Sequence, residues 1–206
     1  MYFAMYLKEQ ILMVAFNLFS QYGIKGVSMD DIARTAAVSK RTLYGFFDDK
    51  ESLLMEGLAK TYKNLFTFLS KVESGPLTSI DIVLLMYEEF MKRPPLVSPK
   101  FYDDLKKFPK ALETRETERT KMIAAYMRLY KRGVKEGVFQ TGINFGILAL
   151  LVKEQLKITP LPESFSKHSC SEVYETVLIT FLRGICTDKG REVLEHWANA
   201  RTYHIQ

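Results

Sequence analysis

Ser39-Lys40-Arg41-Thr42 places two cations between two hydroxyls, the equipment needed for phosphate oxygens and base edges. Ser39 can cap a short helix carrying Leu43, Phe46 and Phe47 at helical spacing. A second short helix precedes it. Ser28 with Asp31 three positions on makes a capping box, and Ile32, Ala33 and Ala36 put small apolar groups on one side. Ala36-Ala37-Val38 supplies the turn between them. Two short helices, small residues at their crossing and a tight turn predict a helix-turn-helix. Ser28 and Tyr44, with Lys50 at the start of the next helix, suit phosphate contacts. Tyr44 could equally pack inward beside Leu43 and Phe47. A Lys-Arg pair taken alone is more often merely solvated, and the surrounding caps and turn shift this one towards function.

These residues must be held by a scaffold. An apolar helix over 8–22 precedes the motif, with Ile11, Ala15, Leu18 and Tyr22 in one stripe and Gly23 as its stop. After the motif, a long helix begins near Asp48-Asp49 and runs to Gly75-Pro76. Further helices are expected from Thr78 to Met91, Lys100 to Lys107, Lys110 to Lys135, the 140s to Ile158, Ser171 to Cys186 and Asp188 to Trp197. Arg93-Pro94-Pro95 and Thr159-Pro160-Leu161-Pro162 read as breaks. Period-3.6 patterns recur and no sustained period-2 alternation appears, so the class is all-α. The domains are set at residues 1–50, a three-helix DNA-binding domain, and 51–206, a larger helical domain.

The run VSMDDIARTAAVSKRTLYGFFDDKESLL, with ILMVAFNLFSQYGIKGVS before it, resembles the DNA-binding domain of the TetR family of transcriptional regulators. Leu43-Tyr44-x-x-Phe47-x-x-Lys50-Glu51-x-Leu53 carries the match. Two departures stand out: Ala37 where the family usually has Gly, and Phe46 where a His often sits. Ala at a positive φ costs about 1 kcal/mol or somewhat more. The resemblance implies a dimeric regulator, a repressor, that reads a pseudo-palindromic operator in double-stranded DNA. It further implies a small-molecule effector bound in the second domain.

The middle helices carry many rings and thioethers: Tyr62, Phe66, Met86, Tyr87, Phe90, Phe101, Tyr102, Tyr126, Met127 and Tyr130. Such groups suit an apolar pocket with a few hydrogen bonds, although each taken singly is better explained as core. An apolar or aromatic effector is therefore expected. The segment around Ile147 and Leu151 is apolar all round, and Val173, Val177, Leu178, Phe181 and Ile185 form a broad apolar face. Both are expected at a homodimer interface, since one recognition helix reads few bases.

Composition excludes several classes. Apolar residues are 47% and charged residues 26% of 206, ordinary for a globular chain. No segment reaches a membrane span and the N-terminus lacks a signal peptide's charged start and cleavage site, so a cytoplasmic protein is expected. Cys170 and Cys186 are expected to be passive thiols too far apart to bond. No metal-ligand spacing, nucleophile elbow or phosphate loop occurs around His168, His196 or His204. No enzyme and no cofactor are expected. Net charge is +5, yet Met1 to Lys60 balances seven Lys/Arg against seven Asp/Glu. A neutral reading head weakens nonspecific phosphate binding. That balance, with Ala37, keeps a second reading open: an all-α interaction protein with weak or no specific DNA binding.

Overall fold

Hydroxyl and carboxylate caps punctuate the first fifty residues of the computed structural model, which describes residues 2–93, 99–155 and 167–202. Ser28 opens α2 (Met29–Thr35) with a complete capping box: its hydroxyl accepts from Asp31 N, and Asp31 accepts from Ser28 N. Ser39 opens α3 (Lys40–Phe46) by accepting from Thr42 N at 3.0 Å. Asp49 does the same for α4 (Lys50–Glu73), accepting from Ser52 N at 2.7 Å. Each oxygen satisfies a backbone donor that a helix start leaves without a partner.

Ahead of these, α1 spans Tyr2–Tyr22 and so begins six residues earlier than the expected Lys8. Its first turns stand largely in solvent, with Phe3 and Tyr6 77% and 68% exposed. The remaining elements are α5 (Ser79–Met91), α6 (Pro99–Leu105), α7 (Pro109–Glu136), α8 (Phe145–Gln155), α9 (Cys170–Ile185) and α10 (Asp188–Thr202). The last outruns its expected end at Trp197. The breaks at Pro94-Pro95 and Thr159 to Pro162, and the helix end at Ile158, lie outside the described residues. No strand occurs among the described residues, only an isolated bridge between Phe139 and Cys186. The all-α class holds.

The chain divides into two units: residues 1–64 with 91–120, and residues 65–90 with 121–206. The expected boundary after residue 50 falls in the first turn of α4, one helix from Lys50 to Glu73.

In the first unit, α1 packs on α2 through Ile11, Ala15 and Phe19, all fully buried. Phe101 of α6, also fully buried, stacks against Phe16 and Phe19 with ring centroids 5.8 and 6.5 Å away. Asp104, 8% exposed, accepts from Lys25 N at 2.9 Å and so pins the loop between α1 and α2. Gly57 of α4 lies against the Phe16 ring, where an added Cβ would sit 2.0 Å from Cε2.

The second unit has its own core of Ile80, Leu84, Tyr130, Val138, Phe139, Ile179, Leu182, Ile185 and Leu194. Tyr130 stacks between Phe139 and Phe145, and its hydroxyl donates to Gln140 O at 2.8 Å. Glu136 accepts from Ser79 N at 2.8 Å, closing the start of α5, and is ion-paired with Arg132. Cys186 is buried and free, and burial pushes its thiol up to about 11. The Cys170 side chain lies outside the described residues, as does His204.

Candidate nucleic-acid interface

The turn between α2 and α3 bends sharply at Ala37, whose φ of 53° lies in the left-handed region. It is the one non-glycine residue there among those described. Val38 N bonds Ala33 O at 3.0 Å and closes the turn. Ile32 and Leu43, both fully buried, bring the two helices together, while Val27 and Phe47 seal the edges. Alanine therefore occupies a conformation that glycine adopts without steric cost.

This arrangement leaves one surface of α3 outside. Ser39, Lys40, Arg41 and Tyr44 are exposed and Thr42 is half-buried. Tyr44, at 49% exposure, points away from the core, which decides between its two expected roles. Lys40 Nζ sits 2.6 Å from Asp30 Oδ2, so this cation is held by a carboxylate of α2. Ser39 and Thr42 share a hydrogen bond between their hydroxyls at 2.8 Å. The Ser28 hydroxyl is exposed but committed to the capping box with Asp31. That bonding, with the Ser28 hydroxyl foremost, holds the Asp31 carboxyl below its usual range.

Lys50 faces a different way. Its ammonium donates to Ile24 O at 3.0 Å, and burial holds its pKa below the usual lysine value. It clamps the loop before α2 to the start of α4. Beside it Glu51 accepts from Lys110 N at 2.8 Å, tying α4 to the first turn of α7.

The residues named for a ligand pocket divide between the units. Tyr62, Phe101 and Tyr102 belong to the first; Phe66, Met86, Tyr87, Phe90, Tyr126, Met127 and Tyr130 belong to the second. Phe101 and Tyr130 are core by the contacts above. Met86 is 1% exposed, and Tyr87 donates to Glu175 at 3.3 Å beside Trp197. Burial pushes the Tyr126 phenol up to about 12. A cleft of about 450 Å³ does open in the first unit, lined by Tyr6, Met13, Phe16, Thr61, Asn64 and Lys92 among others. None of the ten named residues lines it.

Of the residues named for a dimer interface, Ile147 and Leu151 are 56% and 49% exposed, as is their neighbour Leu150 at 57%. Val173, Val177, Leu178 and Phe181 are half-buried. Ile185 is 7% exposed and belongs to the core of its own subunit.

Two residues escaped the sequence reading: Arg115 and Arg119. They continue the stripe of Ala111 and Met122 at helical spacing along α7, so cations stand where apolar residues were due. That interruption was the available signal. No cluster that could hold a metal ion occurs among the described residues. No helix of the described residues is long and apolar enough to cross a membrane.

Two capped helices joined by a left-handed turn, the second carrying exposed cations at its start, define a helix-turn-helix protein. The chain belongs to the TetR family: residues 11–56 match the family model described as bacterial regulatory proteins, tetR family. It is similar to the biofilm operon icaADBC negative transcriptional regulator IcaR of Staphylococcus aureus, with 29% identity over 85 residues. That stretch is 41% of this chain and 46% of the relative, so the chain spans less than half the length of the curated relatives it matches. A TetR-family regulator of Agrobacterium tumefaciens shares the fold with a TM-score of 0.73 at 12% identity, covering 89% of this chain and all of that one. Reduced NemR of Escherichia coli does so with a TM-score of 0.72 at 18% identity, covering 88% and 97%.

Proposed function

We propose that this protein is a transcriptional repressor that reads a pseudo-palindromic operator as a homodimer and is released by a small effector. The observation that carries the reading is the exposed start of α3. Lys40, Arg41 and Thr42 stand there on a helix fixed by a cap and a buried Leu43. Recognition helices present such N-terminal side chains to base edges in the major groove. Ser28, Ser39 and Tyr44 are placed for the flanking phosphates, and Lys50 supports them from the loop it clamps. Residues 1–50 form the reading head and residues 51–206 the effector and dimerisation region. The name of the IcaR relative, a negative regulator, supports repression. The protein acts in the cytoplasm, where operator DNA is.

One recognition helix reads few base pairs, and a two-fold pair reads two half-sites about one helical turn apart. Exposed Ile147, Leu150 and Leu151 on α8 offer apolar surface for that pairing, with Val173, Val177, Leu178 and Phe181 of α9. An apolar or aromatic effector set against Tyr62, Phe66 and Tyr126 acts through α4, a single helix that starts three residues after Phe47. A shift of α4 changes the separation of the recognition helices, and DNA and effector then oppose each other by ~1–3 kcal/mol.

One observation favours the second reading of an interaction protein with weak DNA binding: Asp30 already neutralises Lys40. A gel shift over increasing salt, on DNA flanking the protein's own gene, separates the two. The repressor reading expects a specific shift that K40A/R41A abolishes while helicity is unchanged. Equal binding by the double variant would overturn the assignment of the reading head, and no specific shift by the parent would favour the second reading.

A further inference from the structure

Arg115 and Arg119 lie one turn apart on α7, and their side chains are only 15% and 14% exposed. The carboxylate set against both is Glu116, ion-paired with Arg115 and 4.0 Å from Arg119. Its side chain is 37% exposed and thus better solvated than either cation. Two partly desolvated positive charges therefore share one screened negative charge. Such an excess is unfavourable in low dielectric, and an apolar residue would serve packing better. Burial first, then the charge of Arg115, holds the Arg119 guanidinium below its ordinary range.

Aromatic groups complete the surroundings. The Arg115 guanidinium carbon lies 4.3 Å over the Tyr102 ring, which orients its fork. Arg115 Nε is buried and meets no hydrogen-bond acceptor among the described residues. Tyr62 of α4, 5% exposed, is the second phenol beside the arginines. Burial raises both phenols above their ordinary values, so each remains a protonated donor at neutral pH. All these residues lie within the first unit.

We infer that Tyr62, Tyr102, Arg115 and Arg119 form a binding site for a small molecule bearing a carboxylate or phosphate on an aromatic or apolar body. The guanidiniums take the anion through charge-assisted hydrogen bonds, and the rings take the body. Electroneutrality is restored by the ligand, so a neutral analogue of the same shape gains little. The inference rests on the effector reading above and gives that effector its chemical class.

The test uses purified full-length protein without DNA, titrated with phenylbutyrate, phenyl phosphate and the neutral phenylbutanol by calorimetry and thermal shift. At least one of the two anions should bind and raise Tm, which tells carboxylate from phosphate, and the alcohol should bind about tenfold more weakly or not at all. R115Q and R119Q should each weaken the anion about tenfold, and R119K, which keeps the charge, should retain part of the affinity. Circular dichroism checks that each variant folds; if the glutamine variants do not, R119K and the alcohol comparison still decide. Equal binding of acid and alcohol, unchanged affinity in folded glutamine variants, or no anion binding at millimolar concentration would overturn the site. Operator binding by the same preparation is scored separately. A parent that shifts DNA but binds no anion loses this inference alone, and one that binds the anion but no DNA keeps it and loses the repressor reading.

Discussion

Lys40 Nζ and Asp30 Oδ2 are 2.6 Å apart, joining the first residue of α3 to the first turn of α2 across the reading head. Both side chains are more than half exposed, so the pair adds little to stability. Its consequence lies in binding, because Lys40 must exchange this carboxylate for DNA. Asp30→Asn should therefore strengthen operator binding a few-fold at low salt while changing stability by less than about 0.5 kcal/mol. A filter-binding titration over a salt series reads it. Unchanged or weaker affinity would show that Lys40 need not leave Asp30.

Ala37 holds a φ of 53° with no glycine to relieve it. Ala37→Gly should stabilise the protein by about 1 kcal/mol, the left-handed penalty of alanine less the entropy glycine loses on folding. Chemical denaturation with the slope checked for constancy is the measurement. A loss of stability would mean that the turn relaxes towards negative φ in solution.

Gly57 has the opposite sensitivity. A methyl group there would overlap the Phe16 ring, itself held by Phe19 and Phe101. Gly57→Ala should cost about 1–3 kcal/mol despite alanine's better helix propensity, because the overlap must push α1 and α4 apart. A rise in Tm would contradict the packing described for these helices.

Glu136 links stability to acid. Burial alone would raise its pKa, but bonds from Ser79 N and Arg132 more than offset this and hold it below the ordinary 4.5. A depressed carboxylate pKa means stabilisation that is present above the unfolded value and lost as pH falls through the folded one. Glu136→Gln should thus be less stable than the parent near neutrality, with the gap closing below about pH 4.5. Melting curves at a series of pH values decide it; a gap constant down to low pH would place the effect elsewhere.

The caps, the turn and the apolar stripes were legible in the chain because they act over three or four residues. Ser28 with Asp31, Ser39 with Thr42, and the spacing of Leu43 and Phe47 need only local backbone geometry, and each stands as its residue types require. Ala37 belongs with them, since a tight turn after Ala36 demands a positive φ whatever residue stands there. Side-chain direction was different, because it depends on what another element presents. Lys50 reads as one more cation of the motif, yet Ile24 O and the loop of α1 draw it inward. Phe101 reads as pocket lining, yet Phe16 and Phe19 enclose it. Arg115 and Arg119 read as ordinary helix charges until α4 and α6 bring Tyr62 and Tyr102 against them. Local periodicity settles which residues share a face; only packing between helices distant in sequence decides whether that face meets water, a ring or an unbalanced charge.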